Sequence, residues 1–238
     1  EELKVLKFDF VYLLEQIPKL VPYLDITFLV LILTLFFGTI LGFILAAWKL
    51  GKRPILSKLA YAFTTAMRCT PSIVLLFLVY YGLPALASIF AFDLNDLSKL
   101  FFVVTAFSLS FGNVMSEIIR SSYLAVEKGQ YEAAVSVGLT RFDAFRRIIL
   151  PQAAVVALPN IINSILTLLK EGSLAYTIGL IDVMGKANLL IAMNYEAHAL
   201  ETLLALSFIY WSISITIEKA NELLEQRLSK GRTFVKTV

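Results

Sequence analysis

The sequence predicts an all-α polytopic membrane protein: five transmembrane helices, an N-terminal amphipathic segment and two short helices in a water-exposed elbow. Three observations predict it. Apolar side chains make up 58% of the 238 residues and mean hydropathy is +0.79, more apolar surface than a soluble domain of this length can bury. Uncharged stretches long enough to cross a bilayer recur, the clearest running from Ile26 to Ala47. Lys and Arg also gather on alternate loops. A single membrane domain over residues 1–238 is the expected count.

Residues 1–22 mix Phe8, Phe10, Leu13, Leu14 and Ile17 with Lys4, Lys7, Asp9, Glu15 and Lys19, which predicts an amphipathic segment at the membrane surface. Those spread charges form no signal-peptide pattern. In the first span Gly38, Gly42 and Ala46 recur every fourth residue, so one face admits another helix closely. A basic turn follows, then a surface helix over Ser57–Met67 and a second span over about Thr70–Leu86, with Arg68 snorkelling between them. Leu100–Ser116 makes the third span, prolonged through Arg120, and Ala153–Leu169 the fourth, bent at Pro159. Ser173–Asn194 is punctuated by Gly179, Asp182, Gly185 and Lys186, which suits a re-entrant or surface-lying segment better than a span. Thr202–Ile217 is the fifth span, and a basic tail closes the chain.

Charge predicts the orientation. Lys49, Lys52, Arg53 and Lys58 in the first turn, Lys128, Arg141, Arg146 and Arg147 around the elbow, and Lys219, Arg227, Lys230, Arg232 and Lys236 in the tail lie on one side. Lys4, Lys7, Lys19, Lys99 and Lys186 lie on the other. Thirteen against five puts the elbow and C-terminus in the cytoplasm and the N-terminus outside. An odd number of spans follows.

Glu132 to Pro151 is a charged, helix-prone island between two apolar blocks. Glu132, Ala133 and Ala134 favour helix, and Gly138 falls where a left-handed cap would end one. Thr140 with Asp143 three residues on resembles a capping box. Two short helices joined at Gly138 follow from local chemistry alone, and an ordinary cytoplasmic loop would satisfy the same chemistry.

A pathway for a polar solute needs polar groups on helix faces turned from lipid. Ser110, Asn113, Glu117 and Arg120 share a face of the third span; Asn160, Asn163, Thr167 and Lys170, with Glu171, share one of the fourth. A carboxylate at mid-membrane costs about 2.5–3.5 kcal/mol on insertion scales, so Glu117 faces protein or water. Two readings stay open: Asn113 and Glu117 contact a zwitterionic or cationic solute, or Glu117 pairs with Arg120 and the remaining groups bond helix to helix. His198, the lone histidine, reads as a surface residue. Cys69 is the single cysteine, no metal-site pattern occurs, and no G-x-x-x-x-G-K-[ST] motif is present, so this chain is not itself expected to be an enzyme or to hold a cofactor.

Glu132-Ala133-Ala134, then Gly138 and Ile149-Leu150-Pro151, resembles the EAA signature of permease subunits of ABC importers. Arg68-Cys69-Thr70-Pro71, Tyr81-Gly82-Leu83-Pro84, Glu127-Lys128-Gly129-Gln130 and Lys170-Glu171-Gly172-Ser173-Leu174 are similar to the polar amino acid branch, the histidine, glutamine and arginine permeases. The likeness covers roughly residues 20–220, with residues 127–151 as the EAA loop; Cys69, Ser72 and Gly172 depart from the usual pattern. The resemblance implies a prokaryotic inner-membrane permease for polar amino acids, with a lean to basic ones. It also implies a second permease copy (identical or paralogous), two ATP-binding subunits that carry ATP and magnesium, an extracytoplasmic amino acid-binding protein and surrounding lipid, with no nucleic acid. Glu132, Ala133, Ala134, Gly138, Arg141 and Arg146 would then couple to the ATPase, and Ser110, Asn113, Glu117, Asn163, Thr167, Lys170 and Glu171 would line the pathway. The alternatives are an ion-coupled secondary transporter using Glu117, which the lack of an internal repeat disfavours, and a membrane scaffold whose elbow recruits a soluble partner.

Overall fold

The computed structural model describes residues 8–94 and 96–229, with backbone alone for 227–229. Lys4 and Lys7 of the N-terminal segment and Lys230, Arg232 and Lys236 of the tail lie outside the described residues. Among the described residues the regular structure is helical: α1 Phe10–Leu20, α2 Leu24–Leu50, α3 Pro54–Cys69, α4 Ser72–Ile89, α5 Lys99–Ala125, α6 Lys128–Ser136, α7 Arg141–Ala144, α8 Leu150–Glu171, α9 Val183–Met193 and α10 Ala199–Ser229. The stretches through α2, α4, α5, α8 and α10 are long and apolar enough to cross a membrane, five among the described residues. The chain forms two compact units: Glu1–Phe36, Thr70–Ser108 and Thr167–Ile215, and Phe37–Cys69, Leu109–Leu166 and Thr216–Val238.

In the first unit α1 is capped by the Asp9 carboxylate, which accepts from the Tyr12 amide at 3.0 Å. Its buried side, Leu13 and Leu20, joins a core with Val183, Ala187, Leu190, Ala205 and Leu206. Phe10, Val11 and Leu14 remain exposed, so the helix turns one apolar flank to protein and leaves another for lipid. A 3-10 turn, Val21–Tyr23, carries it into α2. His198 is half-buried, stacked on Tyr12 with ring centroids 4.2 Å apart, its Nδ1 3.7 Å from Glu201. It therefore sits at the surface, about one-third exposed, with one ring face packed on Tyr12.

The segment after α8 is short-pitched. A 3-10 turn over Gly172–Ile178 ends at Gly179, whose φ of 80° is left-handed. Asp182 then caps α9, accepting from the Gly185 amide at 2.8 Å. The 11 residues of α9 reach only about 16 Å at 1.5 Å each, against a hydrocarbon core of about 30 Å. This is the non-spanning segment that its polar punctuation predicts.

Asp182 is 1% exposed, and burial pushes its carboxyl up to about 6 despite the amides of Gly185 and Met184 and the Thr27 hydroxyl, which pull it down. Below about pH 4 folded and unfolded forms are both protonated, and above about pH 6 both are ionised. Between these values the folded chain holds the extra proton, so stability falls as pH rises, by about 3 kcal/mol in total. Asp182→Asn retains an acceptor for the cap and removes the titration. The expected outcome is a flat thermal midpoint between pH 4 and pH 6.5 in the detergent-solubilised variant, where the wild type declines.

In the second unit α2 and α5 meet at glycines. A Cβ on Gly42 would lie 2.7 Å from the Met115 Cβ, and one on Gly112 would lie 2.8 Å from Leu41 Cδ2. Helices in lipid gain little from hydrophobic burial against each other and associate through such close packing. The spacing of Gly38, Gly42 and Ala46 predicts this approach. The surface helix runs further than expected, as α3 from Pro54 to Cys69, with Pro54 in its first turn and Ala60 and Thr64 buried.

Candidate coupling elbow and charged hub

α6 ends in a Schellman cap. The Gly138 amide donates to Val135 O at 3.0 Å and the Leu139 amide to Ala134 O at 3.2 Å, while Gly138 sits at φ 91°. One residue later Thr140 opens α7: its hydroxyl accepts from the Asp143 amide at 3.1 Å and donates to the Asp143 carboxylate at 2.7 Å. This is a local variant of the capping box, with Asp where Glu is usual. Asp143 also pairs with Arg147 at 3.3 Å. A single π turn, Phe145–Ile149, then feeds α8. Two helices joined at Gly138 therefore appear as the residues predict.

Within this elbow Ala134 and Ala144 are buried, at 6% and 0% exposure, so small side chains are needed there. Glu132, Ala133, Gly138, Arg141 and Arg146 are exposed. So are Val137 and Phe142, at 80% and 69%. Those two, which the sequence reading did not single out, give the elbow an apolar tip beside a basic rim.

The candidate pathway residues divide. On α5, Ser110 is half-buried and Asn113 is buried. Glu117 accepts from Lys49 Nζ at 2.5 Å and from Arg120 Nε and Nη2 at 3.0 and 2.9 Å, with Arg68 at 3.7 Å. The Lys49 side chain is wholly buried; it also donates to Ser116 Oγ at 2.9 Å and lies 5.4 Å from the centre of the Tyr61 ring. One carboxylate is thus surrounded by three cations drawn from the ends of α2, α3 and α5. The ion pair with Arg120 is present, and the electrostatic case for Glu117 attracting a cationic solute is lost, because the local balance is positive.

Sequence reasoning missed Lys49 and Ser116. Lys49 looked like one of four bases in a turn. Its signal is the periodicity of α2: three residues beyond Ala46, it continues the face of Gly38 and Gly42 that packs on α5. On α8, by contrast, Asn160, Asn163, Thr167 and Lys170 are exposed on one helix face and Glu171 is half-buried, while Leu166, Leu168 and Leu169 are buried.

A family model described as the binding-protein-dependent transport system inner membrane component matches residues 38–230. The chain belongs to that family. The permease is 38% identical over 231 residues to the L-cystine transport system permease protein TcyL of Bacillus subtilis (strain 168), covering 97% of this chain and 96% of that protein. It is 33% identical over 224 residues to the arginine transport system permease protein ArtQ of the same organism, covering 94% and 98%. Among solved structures, the crystal structure of an amino acid ABC transporter with histidines superposes with a TM-score of 0.80 at 28% identity, over 93% of this chain and 99% of that one. The permease is thus an amino-acid ABC transporter permease, a multi-pass membrane protein. Among the described residues of the permease no cluster of His, Cys, Asp or Glu suited to a metal ion occurs.

Proposed function

We propose that this permease imports a polar amino acid, works as a pair with a second permease copy, and is driven through its elbow by two ATP-hydrolysing subunits that hold ATP and magnesium. The observation that carries the reading is the elbow itself: a doubly capped, two-helix knuckle with Val137 and Phe142 exposed at its tip. Apolar side chains held rigidly in water suit a docking groove on a soluble partner. Glu132, Ala133, Gly138, Arg141 and Arg146 present the rest of the face. The basic excess around residues 49–58, the elbow and the tail supports a cytoplasmic elbow, an outer N-terminus and an extracytoplasmic amino acid-binding protein as donor.

The exposed row on α8 supports the pair. Asn160 and Lys170 on the outside of a membrane-spanning helix are costly against lipid, so that face suits a water-filled pathway or a second copy. Asn163, Thr167 and Glu171 extend the row; Ser110 and Asn113 lie deeper and support the α5 wall. Cargo is proposed as a polar amino acid without a lean to basic ones, since the hub around Glu117 neutralises the charge that would have favoured them.

The test is reconstitution of the permease with its ATPase subunits and binding protein in vesicles. Uptake of L-cystine, L-arginine or L-glutamine is expected to require ATP and the binding protein together. Uptake driven by an ion gradient without ATP would overturn the reading.

A further inference from the structure

Within the first unit a cavity of about 310 Å³ is lined by Tyr80, Tyr81, Pro84, Leu97, Lys99 and Phe102. Its size lies at the small end of the range for small-molecule sites. Lys99 is the first residue of α5, the end of a helix where the macrodipole disfavours a cation. It is exposed and donates to Gly179 O at 3.1 Å, which leaves two of its three N–H donors for another acceptor. Gly179 is matched to this arrangement, because a Cβ there would come within 2.6 Å of Lys99 Nζ. Tyr80 meets Tyr81 and Phe102 edge to face, with centroids 4.9 and 5.3 Å apart. An ammonium and a helix N-terminus beside aromatic faces form complementary halves for a zwitterion: the first two attract a carboxylate, the rings an ammonium.

We propose that this cavity is a receiving site at the outer mouth of the permease, where Lys99 takes the α-carboxylate of the incoming amino acid and the Tyr80–Phe102 rings flank its ammonium. The outer placement rests on the orientation proposed above. The role explains why a lysine stands at the unfavourable end of α5, with Tyr81 and Pro84 on the wall beside it.

Two variants separate recognition from architecture. Lys99→Gln retains a donor for Gly179 and loses the charge; Lys99→Arg retains both. In vesicles holding the full transporter and loaded binding protein, Lys99→Gln is expected to move at least fivefold less radiolabelled amino acid per ATP hydrolysed, with ATP hydrolysis still stimulated by the binding protein. Lys99→Arg is expected within twofold of wild type. Equal transport per ATP in Lys99→Gln, or parallel loss of transport and hydrolysis in both variants, overturns the site. Wild-type protein supplies a second measurement should Lys99→Gln fail to assemble. A water-soluble carbodiimide activates the carboxylate of radiolabelled L-glutamine, which the Lys99 amine attacks to form an amide, releasing the urea. Label on Lys99 is expected well above that on exposed Lys128, and equal labelling overturns the proposal. Failure of the wild type to take up any amino acid with ATP would count against the proposed function, while the labelling reads the cavity independently.

Discussion

Glu117→Gln is expected to destabilise the protein by about 3–5 kcal/mol, the cost of leaving a buried charge without its partner. Lys49 is the reason: its side chain is wholly buried, and Glu117 is its counter-charge. An amide can still accept from Lys49 and Arg120, so loss of charge, not of hydrogen bonds, carries the effect. Lys49→Met alone should cost less than Glu117→Gln, because Arg120 and Arg68 still balance the carboxylate. Combining the two should recover more than half of the Glu117→Gln loss. Unfolding of the detergent-solubilised protein by increasing fractions of SDS measures all three. A hub role predicts that every amino acid is taken up more slowly in proportion to the loss of folded protein. A stable Glu117→Gln variant with altered preference among amino acids would instead place Glu117 in the pathway.

Gly138→Val is expected to abolish at least nine-tenths of ATP-driven uptake while leaving the spans folded. At φ 91° a β-branched side chain is strained, by about 1–3 kcal/mol. No neighbouring atom lies within 4 Å of a Cβ there, so the strain is purely in the backbone. Relief requires the two bonds of the Schellman cap to open, which swings Thr140 and α7 away from α6. Gly138 itself precedes Arg141–Ile178, the fourth stretch long and apolar enough to cross a membrane, so the substitution leaves the composition of the spans unchanged. Gly138→Asn, which tolerates the left-handed region, should restore most of the uptake. Uptake together with co-purification of the ATPase subunit reads the outcome. Wild-type coupling in the Val variant would remove Gly138 from the proposed mechanism.

These two sites differ in how they could be read from the chain. The elbow was legible because its determinants are local: the Gly138 cap and the Thr140–Asp143 exchange each close within six residues. The spans were legible because their composition alone requires lipid, and the glycine face of α2 because a helix repeats every few residues. The hub was not legible, since Lys49 and Glu117 are 68 positions apart and no periodicity on either helix names its partner. The pairing of Lys99 with Gly179, 80 positions apart, was hidden in the same way. Periodicity placed polar rows on both α5 and α8 but could not say which one faces inward. That choice depends on what packs against each helix, and packing placed Asn113 inside and Asn160 outside.

The outward amides of α8 carry a consequence for the life of the protein in the cell. A newly inserted copy exposes groups that bilayer hydrocarbon solvates badly, and so has the surface that membrane quality-control proteases take for damage. Synthesised without the partners proposed above, it should turn over quickly, and its abundance should follow theirs instead of its own messenger.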